Sequence, residues 1–176
     1  MYTESPLTTI FLAAILAALA FFIYYRLKGR IGFSLEKFDY FPGESVKGHI
    51  TVVAKRPIKG NKLSIVLIAH SKLELRNNQG NTKTVSKKIY EHEVILENSK
   101  DYPSGYAQDY SFEIEIPNEE ECNLFRSTLY HADKLLGGVF GSESKRIEWT
   151  LKARLDAKGI DLRNKEYFFV EIPGLD

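Results

Sequence analysis

The cysteine and histidine side chains are the first candidates for binding a transition metal ion or for a nucleophile–base pair. They are one cysteine and four histidines: Cys122, His49, His70, His92 and His131. No two of the histidines are spaced i, i+4, and none lies near Cys122 at the spacing that zinc sites use. Cys122 paired with His131 would supply a nucleophile and a base, but the sequence offers no group to orient the pair or bind an oxyanion. We therefore predict no metal, no cofactor and no catalytic residue.

An acidic run, Glu119-Glu120-Glu121, opens the longest stretch between two predicted strands. Carboxylates are favoured in the first turn of a helix, where they meet the positive end of its dipole. We interpret the run as a helix start or a solvated turn, with cation binding as the alternative. Gly137, Gly138 and Gly141 lack the Lys-Ser/Thr that follows a phosphate-binding loop. These patterns favour a binding protein over an enzyme.

The composition excludes several classes of protein. The chain has 176 residues and a formal net charge of +1, from 24 Lys+Arg against 23 Asp+Glu, so nucleic acid is not an expected partner. One cysteine permits no internal disulfide, which suits a reducing compartment. The length accommodates one domain and an appendage.

The appendage is an uncharged apolar segment. Residues 7–25 read LTTIFLAAILAALAFFIYY, and as a helix they would span about 28 Å, close to the hydrocarbon thickness of a bilayer. Tyr24 and Tyr25 fall where amphipathic rings favour the membrane interface. A cleaved signal peptide is the alternative, but the preceding residues 1–6 contain no Lys or Arg. We predict a single transmembrane helix that contacts membrane lipid.

The flanks of this segment predict its orientation. Arg26, Lys28 and Arg30 follow it in a short linker, residues 26–30, and no basic residue precedes it. The positive-inside rule therefore places the N-terminus outside and the rest of the chain in the cytoplasm. Each of these cations contributes about 1 kcal/mol of attraction to an anionic leaflet.

Residues 31–176 have the hydrophobic period of β-strands. Apolar and polar residues alternate over 31–35, 63–75, 110–116 and 147–155, which buries one face of each strand and exposes the other. Turn residues such as Pro42-Gly43 separate these runs. The pattern predicts an all-β, immunoglobulin-like antiparallel sandwich of about seven strands, with Trp149 in its core.

Two surfaces of this sandwich are candidates for binding a protein partner. The long stretch 118–143 is predicted to hold a short helix from Cys122 to Leu136, and a loop of this length is usually functional. Apolar residues near its end would form a docking surface: Leu135, Leu136, Val139 and Phe140. An exposed sheet edge is the second candidate. Lysines in the predicted fourth strand, which protect edges against aggregation, are Lys83, Lys87 and Lys88.

Four segments carry a resemblance to a known family. They are FPGESVKGHITV (41–52), LSIVLIA (63–69), YSFEIEIP (110–117) and IEWTLKARLDAKGIDL (147–162). In types and spacing they resemble the arrestin-like family, which includes arrestins and bacterial sporulation-control proteins. The resemblance spans Ile31 to Pro173 and implies a sandwich that serves as a protein-binding scaffold without catalysis. Arrestins pair two such domains where this chain has room for one, and their phosphate-sensing basic pair has no counterpart here.

These observations together predict a single-pass membrane adaptor. Its tethered domain would bind protein partners at the cytoplasmic face, with the identity of the partner and the oligomeric state left open. The alternative is an accessory subunit of a larger membrane complex, packed through small residues on one side of the apolar helix: Ala13, Ala17 and Ala20. Binding of a lipid or another small molecule between the sheets is a further possibility.

Overall fold

The computed structural model describes residues 10–19, 28–76, 81–125, 127 and 141–172. Residues 10–19 are helical, and they lie within the apolar segment 7–25 that was predicted to form a transmembrane helix. In the described ranges no helix has both the length and the apolar character needed to cross a bilayer. The remainder of the predicted span, including Tyr24 and Tyr25, lies outside them.

Nine strands make up the described part of the domain. In chain order they are β1 (Gly29–Leu35), β2 (Asp39–Tyr40), β3 (Ser45–Ala54), β4 (Ile58–Arg76), β5 (Thr82–Glu97), β6 (Lys100–Tyr102), β7 (Tyr106–Glu115), β8 (Gly141–Ala157) and β9 (Leu162–Val170). The sequence predicted about seven, because β2 and β6 are too short to show an alternating pattern. Strand β1 also begins before Ile31, inside the predicted linker.

The strands form two sheets packed face to face. The small sheet has the order β1-β3-β7, and the large sheet has the order β2-β9-β8-β4-β5, with β6 paired to β4. All the pairings are antiparallel except that of β2 with β9. The all-β sandwich predicted from the alternating pattern is therefore confirmed.

The core lies between the two sheets and follows the predicted alternation. Leu63, Ile65 and Leu67 of β4 are fully buried, as is Ile50 of β3 on the facing sheet. Trp149 is 1% exposed, which confirms its predicted place in the core. Full burial of a large apolar side chain contributes about 1.5–3 kcal/mol, so this layer stabilises the sandwich.

Gly43 and Glu44 of the PGE turn, and Gly48 in the strand β3 that follows it, have structural explanations. Gly43 has φ 80°, a conformation that disfavours other residues. A carboxylate oxygen of Glu44 accepts a hydrogen bond from the Phe41 backbone N–H at 2.8 Å. A Cβ at Gly48 would lie 2.4 Å from the Ser34 carbonyl oxygen of β1. The segment that carries the resemblance therefore sets a turn and the close approach of two strands.

The chain enters the domain at one end of the sandwich, beside the turns that follow β3 and β8. The Lys28 carbonyl accepts a hydrogen bond from the Lys55 N–H at 3.1 Å, and the Lys59 carbonyl accepts one from the Lys158 N–H at 3.1 Å. The Ser104 hydroxyl donates to the Lys55 carbonyl at 2.8 Å. These bonds fix three turns and the start of β1 as one surface.

Candidate functional site

The face of the large sheet turned away from the core carries the most distinctive set of side chains. Because Leu63, Ile65 and Leu67 of β4 face the core, Ser64, Val66 and Ile68 point to the other side. In the register of the sheet Val66 lies between Glu93 of β5 and Lys152 of β8, and Ile68 lies between Glu91 and Thr150. We call this side the outer face.

A groove of about 540 Å³ crosses the outer face. Val66 and Ile68 form its apolar floor, and Ile68 is 5% exposed although no strand in the described ranges covers it. Long polar side chains from the neighbouring strands stand around that floor and shield it: Glu91, Lys152, Arg154, Arg163 and Lys165. The lining therefore combines a small apolar strip with an excess of positive charge.

Four of these cations form a block on β8 and β9. Lys152 is directly opposite Lys165 in the register, and Arg154 is directly opposite Arg163. Like charges directly opposite one another on a sheet repel and destabilise it. An anion between such a pair, from the same chain or from a partner, would relieve this repulsion.

The arginine pair has its anion within the chain. One carboxylate oxygen of Asp161 accepts hydrogen bonds from Arg154 at 2.9 Å and from Arg163 at 2.8 Å. The other accepts the backbone N–H of Ala157 at 3.2 Å, which holds the turn between β8 and β9. Burial disfavours the charged form of Asp161, but the bonds from Arg163, Ala157 and Arg154 outweigh it and hold its pKa below the ordinary value.

The lysine pair has no such partner. Among the described residues neither Lys152 nor Lys165 forms an ion pair. Lys165 donates to the hydroxyl of Tyr167, a hydrogen bond that raises the pKa of the lysine. Glu148, four residues before Lys152 on the same face of β8, is bonded to Lys72 at 2.7 Å. The outer face therefore keeps two opposed lysines that form no ion pair within the described residues, although the charge of Glu148 also favours the protonated form of Lys165 and adds to the rise of its pKa.

The acidic side of the groove is already satisfied. Glu91 pairs with Lys88, and Glu93 pairs with Lys62 at 2.8 Å. The hydrogen bonds from Lys62 and Ser64 lower the pKa of Glu93. The free charge of the groove is consequently positive.

Aromatic side chains extend the outer face along β9. Tyr167 is 44% exposed and Phe169 is 72% exposed, and both point to the same side of the strand as Lys165. Phe38, which is 50% exposed, lies beside them, since its carbonyl accepts the Phe169 N–H at 2.8 Å. Clustered exposed apolar side chains mark interaction surfaces. We call the groove together with Tyr167 and Phe169 the outer-face site.

Comparison with known proteins gives a match in structure. No family model and no curated protein matches the sequence. The fold is similar to the crystal structure of Spo0M, a sporulation control protein from Bacillus subtilis, with a TM-score of 0.54 and 20% sequence identity. The domain is an arrestin-like β-sandwich. The match covers 82% of this chain and 49% of Spo0M, so the chain spans about half the length of that protein.

The predicted edge of the arrestin-like domain is where the sequence placed it. Strand β5 is the outermost strand of the large sheet, and Lys83, Lys87 and Lys88 are exposed along it. Its pairing with β4 shifts register in two places. Lysines and bulges both discourage strand addition, so this edge is a weaker docking surface than the outer face.

The predicted loop surface lies outside the described residues, as does His131. Its members are Leu135, Leu136, Val139 and Phe140. The same holds for three of the residues predicted at the membrane interface: Tyr24, Tyr25 and Arg26. Their roles stay predictions.

The other two predicted interface residues lie at the chain-entry end of the arrestin-like domain. Arg30 is exposed. Lys28 is 7% exposed, and its ammonium donates to the carbonyl of Lys158 at 3.3 Å and to that of Ile160. Burial lowers the pKa of Lys28, against the opposing effect of Asp161. Lys28 therefore fastens the start of β1 to the turn between β8 and β9.

The acidic run begins a helix, which was one of its two main interpretations, but the helix starts at Glu119 and not at Cys122 as predicted. Residues 119–125 are helical, and Asn118 and Glu121 form a reciprocal cap, with Glu121 N–H to the Asn118 side chain at 3.0 Å and Asn118 N–H to the Glu121 carboxylate at 3.2 Å. Within the described ranges no three potential metal-binding side chains cluster. The Glu121 carboxylate thus has a capping role.

Cys122 is a core residue. It is fully buried, and its thiol donates to the Pro117 carbonyl at 3.5 Å. Burial, aided by the nearby Glu121, raises the pKa of the thiol to about 11. A neutral, inaccessible thiol is a poor nucleophile, so its position favours packing over the nucleophile–base pair with His131.

Sequence reasoning missed the outer-face site. Alternation on β8 does place Lys152 and Arg154 on one side of the strand, opposite to Leu151 and Ala153. The site depends, however, on which strand lies next to β8 and in which register, and a single sequence does not encode that pairing locally.

Proposed function

We propose that this chain is a non-catalytic scaffold whose arrestin-like domain binds a protein partner through the outer-face site. Residues 7–25 would anchor the chain in a membrane, with the domain on the cytoplasmic side. The observation that carries the proposal is the opposed pair Lys152 and Lys165, neither of which forms an ion pair within the described residues, beside the apolar strip of Val66 and Ile68.

The chemistry of the site defines the partner that fits it. A carboxylate placed between Lys152 and Lys165 would relieve their mutual repulsion, and an apolar side chain would cover Val66 and Ile68. An extended acidic segment with interspersed apolar residues offers both groups. Charge complementarity of this kind speeds association and selects against basic partners.

The membrane anchor supports the same function by raising local concentration. The apolar segment 7–25 and the basic residues that follow it are the basis for this part of the proposal. A domain tethered by a short linker meets membrane-bound partners at a much higher effective concentration than a freely diffusing one. A modest affinity at the outer-face site is then sufficient for the tethered domain to bind a partner in the same membrane.

The experiment is affinity capture from solubilised membranes with a double charge reversal, Lys152→Glu/Lys165→Glu. We expect partners that bind the wild-type chain to be lost, by about tenfold or more, since opposite charge is replaced by like charge at the contact. The matched control is Lys83→Glu/Lys87→Glu, an equal change of charge on exposed positions of β5 away from the groove.

The two variants separate the possible outcomes. Loss of partners with the groove variant and retention with the control supports the outer-face site. An unchanged set of partners with the groove variant refutes it. Extraction of the wild-type chain from membranes by alkaline carbonate would refute the anchor while leaving the site intact.

A further inference from the structure

The chain-entry end of the arrestin-like domain gathers basic residues from distant parts of the sequence. The hydrogen bonds between Lys28, Lys55, Lys59 and Lys158 bring together the start of β1 and the turns after β3 and β8. Six exposed cations lie at or beside this surface: Arg30, Lys55, Arg56, Lys59, Lys158 and Arg163. We call this surface the basic end.

The opposite end of the domain is acidic. The turn at residues 41–44 and the segment after β7 meet there, since the Gly43 N–H donates to the Pro117 carbonyl at 3.0 Å. Exposed acids around them are Glu36, Asp39, Glu115, Glu119, Glu120, Glu121 and Glu171. Lys37 and Lys47 at this end, and Asp101, Asp156 and Asp161 at the other, offset part of these charges, but each end keeps an excess of its own sign.

Three cations of the basic end converge on one pocket. Arg30, Lys55 and Arg163 line a cavity of about 290 Å³ together with Asn164. Arg30 and Lys55 form no ion pair within the described ranges, and Arg163 shares Asp161 with Arg154. The side-chain amide of Asn164 donates to the Ile31 carbonyl at 2.9 Å, which ties β9 to β1 across the pocket. The cations thus stand on a fixed framework.

The short link between the apolar segment 7–25 and Lys28 would keep the pocket close to a membrane surface. Residues 26 and 27 separate Tyr25 from Lys28, and three peptide steps span at most about 11 Å. Lys28 is itself bound to the carbonyls of Lys158 and Ile160. A helix ending near Tyr25 in a bilayer would hold the basic end within about one Debye length of the lipid phosphates.

We infer that the basic end docks on an anionic membrane leaflet and that the pocket of Arg30, Lys55 and Arg163 takes the phosphate group of a lipid. This inference rests on the proposed anchoring by residues 7–25. Arginine and lysine together suit a phosphate, because the planar guanidinium binds two oxygens and the ammonium adds a compact charge. Each cation near an anionic leaflet favours the docked state by about fivefold.

The test uses the full-length chain in nanodiscs, whose two faces are both accessible, so that the direction of insertion does not matter. Amine acetylation followed by mass spectrometry measures the accessibility of each lysine. In discs containing phosphatidylserine we expect Lys55 and Lys158 to react about fivefold more slowly than in phosphatidylcholine discs, with recovery at high salt. Lys83 at the far end of β5 should react equally in both.

A double variant tests the pocket itself. In Arg30→Gln/Lys55→Gln the protection of Lys158 by anionic lipid should be lost. In the control Lys83→Gln/Lys87→Gln, which removes the same charge from exposed positions distant from the basic end, the protection should persist. Both double variants change exposed residues, so we expect them to fold. The fluorescence of the buried Trp149 checks this.

The outcomes distinguish the inference from the proposal on which it rests. A chain that inserts into both kinds of disc but shows equal reactivity of Lys55 and Lys158 overturns the docking and leaves the anchor in place. A chain that enters neither disc overturns the anchor. Protection of Lys55 by inorganic phosphate in neutral discs would assign the pocket to a free phosphate and overturn the lipid assignment.

Discussion

Replacement of Asp161 by asparagine removes one charge at the point where the outer-face site and the basic end meet. The carboxylate accepts hydrogen bonds from Arg154 at 2.9 Å, from Arg163 at 2.8 Å and from the Ala157 N–H at 3.2 Å. Asparagine has nearly the same shape but offers a single neutral acceptor. The change therefore isolates the effect of the charge.

The expected loss of stability follows from the exposure of these groups. The side chain of Asp161 is 12% exposed, while those of Arg154 and Arg163 are 49% and 64% exposed. A hydrogen bond to a charged group contributes about 1.5–3 kcal/mol, and solvent around the two arginines reduces this towards the value of a surface pair. We expect the free energy of unfolding to fall by about 2 kcal/mol, or about 4–8 °C in Tm for a chain of this length.

The effect should depend on pH in a defined direction. The folded-state pKa of Asp161 is below its ordinary value of 3.8, so the unfolded chain binds this proton more readily. The stabilisation is then fully present above about pH 4 and is lost as the pH falls through the folded-state pKa. The difference between wild type and Asp161→Asn should accordingly be constant near neutrality and shrink in acid.

The assay is urea unfolding of the full chain in mild detergent, followed by fluorescence of the single tryptophan, Trp149. Asp109→Asn serves as the control, because Asp109 is exposed and accepts one hydrogen bond, from Thr51 at 2.6 Å. The role assigned to Asp161 would be refuted if Asp161→Asn lowered the free energy of unfolding by less than about 0.5 kcal/mol at pH 7. It would also be refuted if the difference between wild type and Asp161→Asn grew in acid.

Two further predictions concern the packing of the sandwich. Gly48→Ala should destabilise the domain by about 1–3 kcal/mol, because its Cβ would lie 2.4 Å from the Ser34 carbonyl oxygen, whereas Gly32→Ala on the partner strand, with 3.9 Å to the nearest atom, should be tolerated. Equal denaturation midpoints for these two variants would contradict this. Cys122 should react with iodoacetamide at pH 8 only after unfolding, since burial raises its pKa to about 11; rapid labelling of the folded chain, measured by intact mass, would show that the thiol is accessible.

Much of the fold could be predicted from the sequence because its signals are local. Alternation along β4 and β8 identified their core faces, including Trp149, and the PGE segment identified the turn before β3. The acidic run identified a helix start, which Asn118 caps by accepting the Glu121 N–H while the Glu121 carboxylate accepts the Asn118 N–H. In each case the physical cause lies within a few residues of the pattern.

The remaining features depend on contacts between distant segments. The opposition of Lys152 and Lys165 requires that β8 and β9 pair in one register, and the basic end requires that two turns meet beside Lys28. The sequence assigned Lys28 to the membrane interface from its position alone. In the structure its ammonium is bonded to backbone carbonyls of the turn after β8, a role that only the tertiary fold defines.

The central claim is that partners bind the outer-face site, and site-specific photocrosslinking in intact membranes tests it most directly. A photoreactive phenylalanine analogue would replace Tyr167 on the outer face or, as the control, Tyr106 at the start of β7 in the small sheet. We predict a crosslinked partner from position 167 that disappears when Lys152→Glu/Lys165→Glu is added, and none from position 106. Crosslinks from position 106 with none from position 167 would contradict the account.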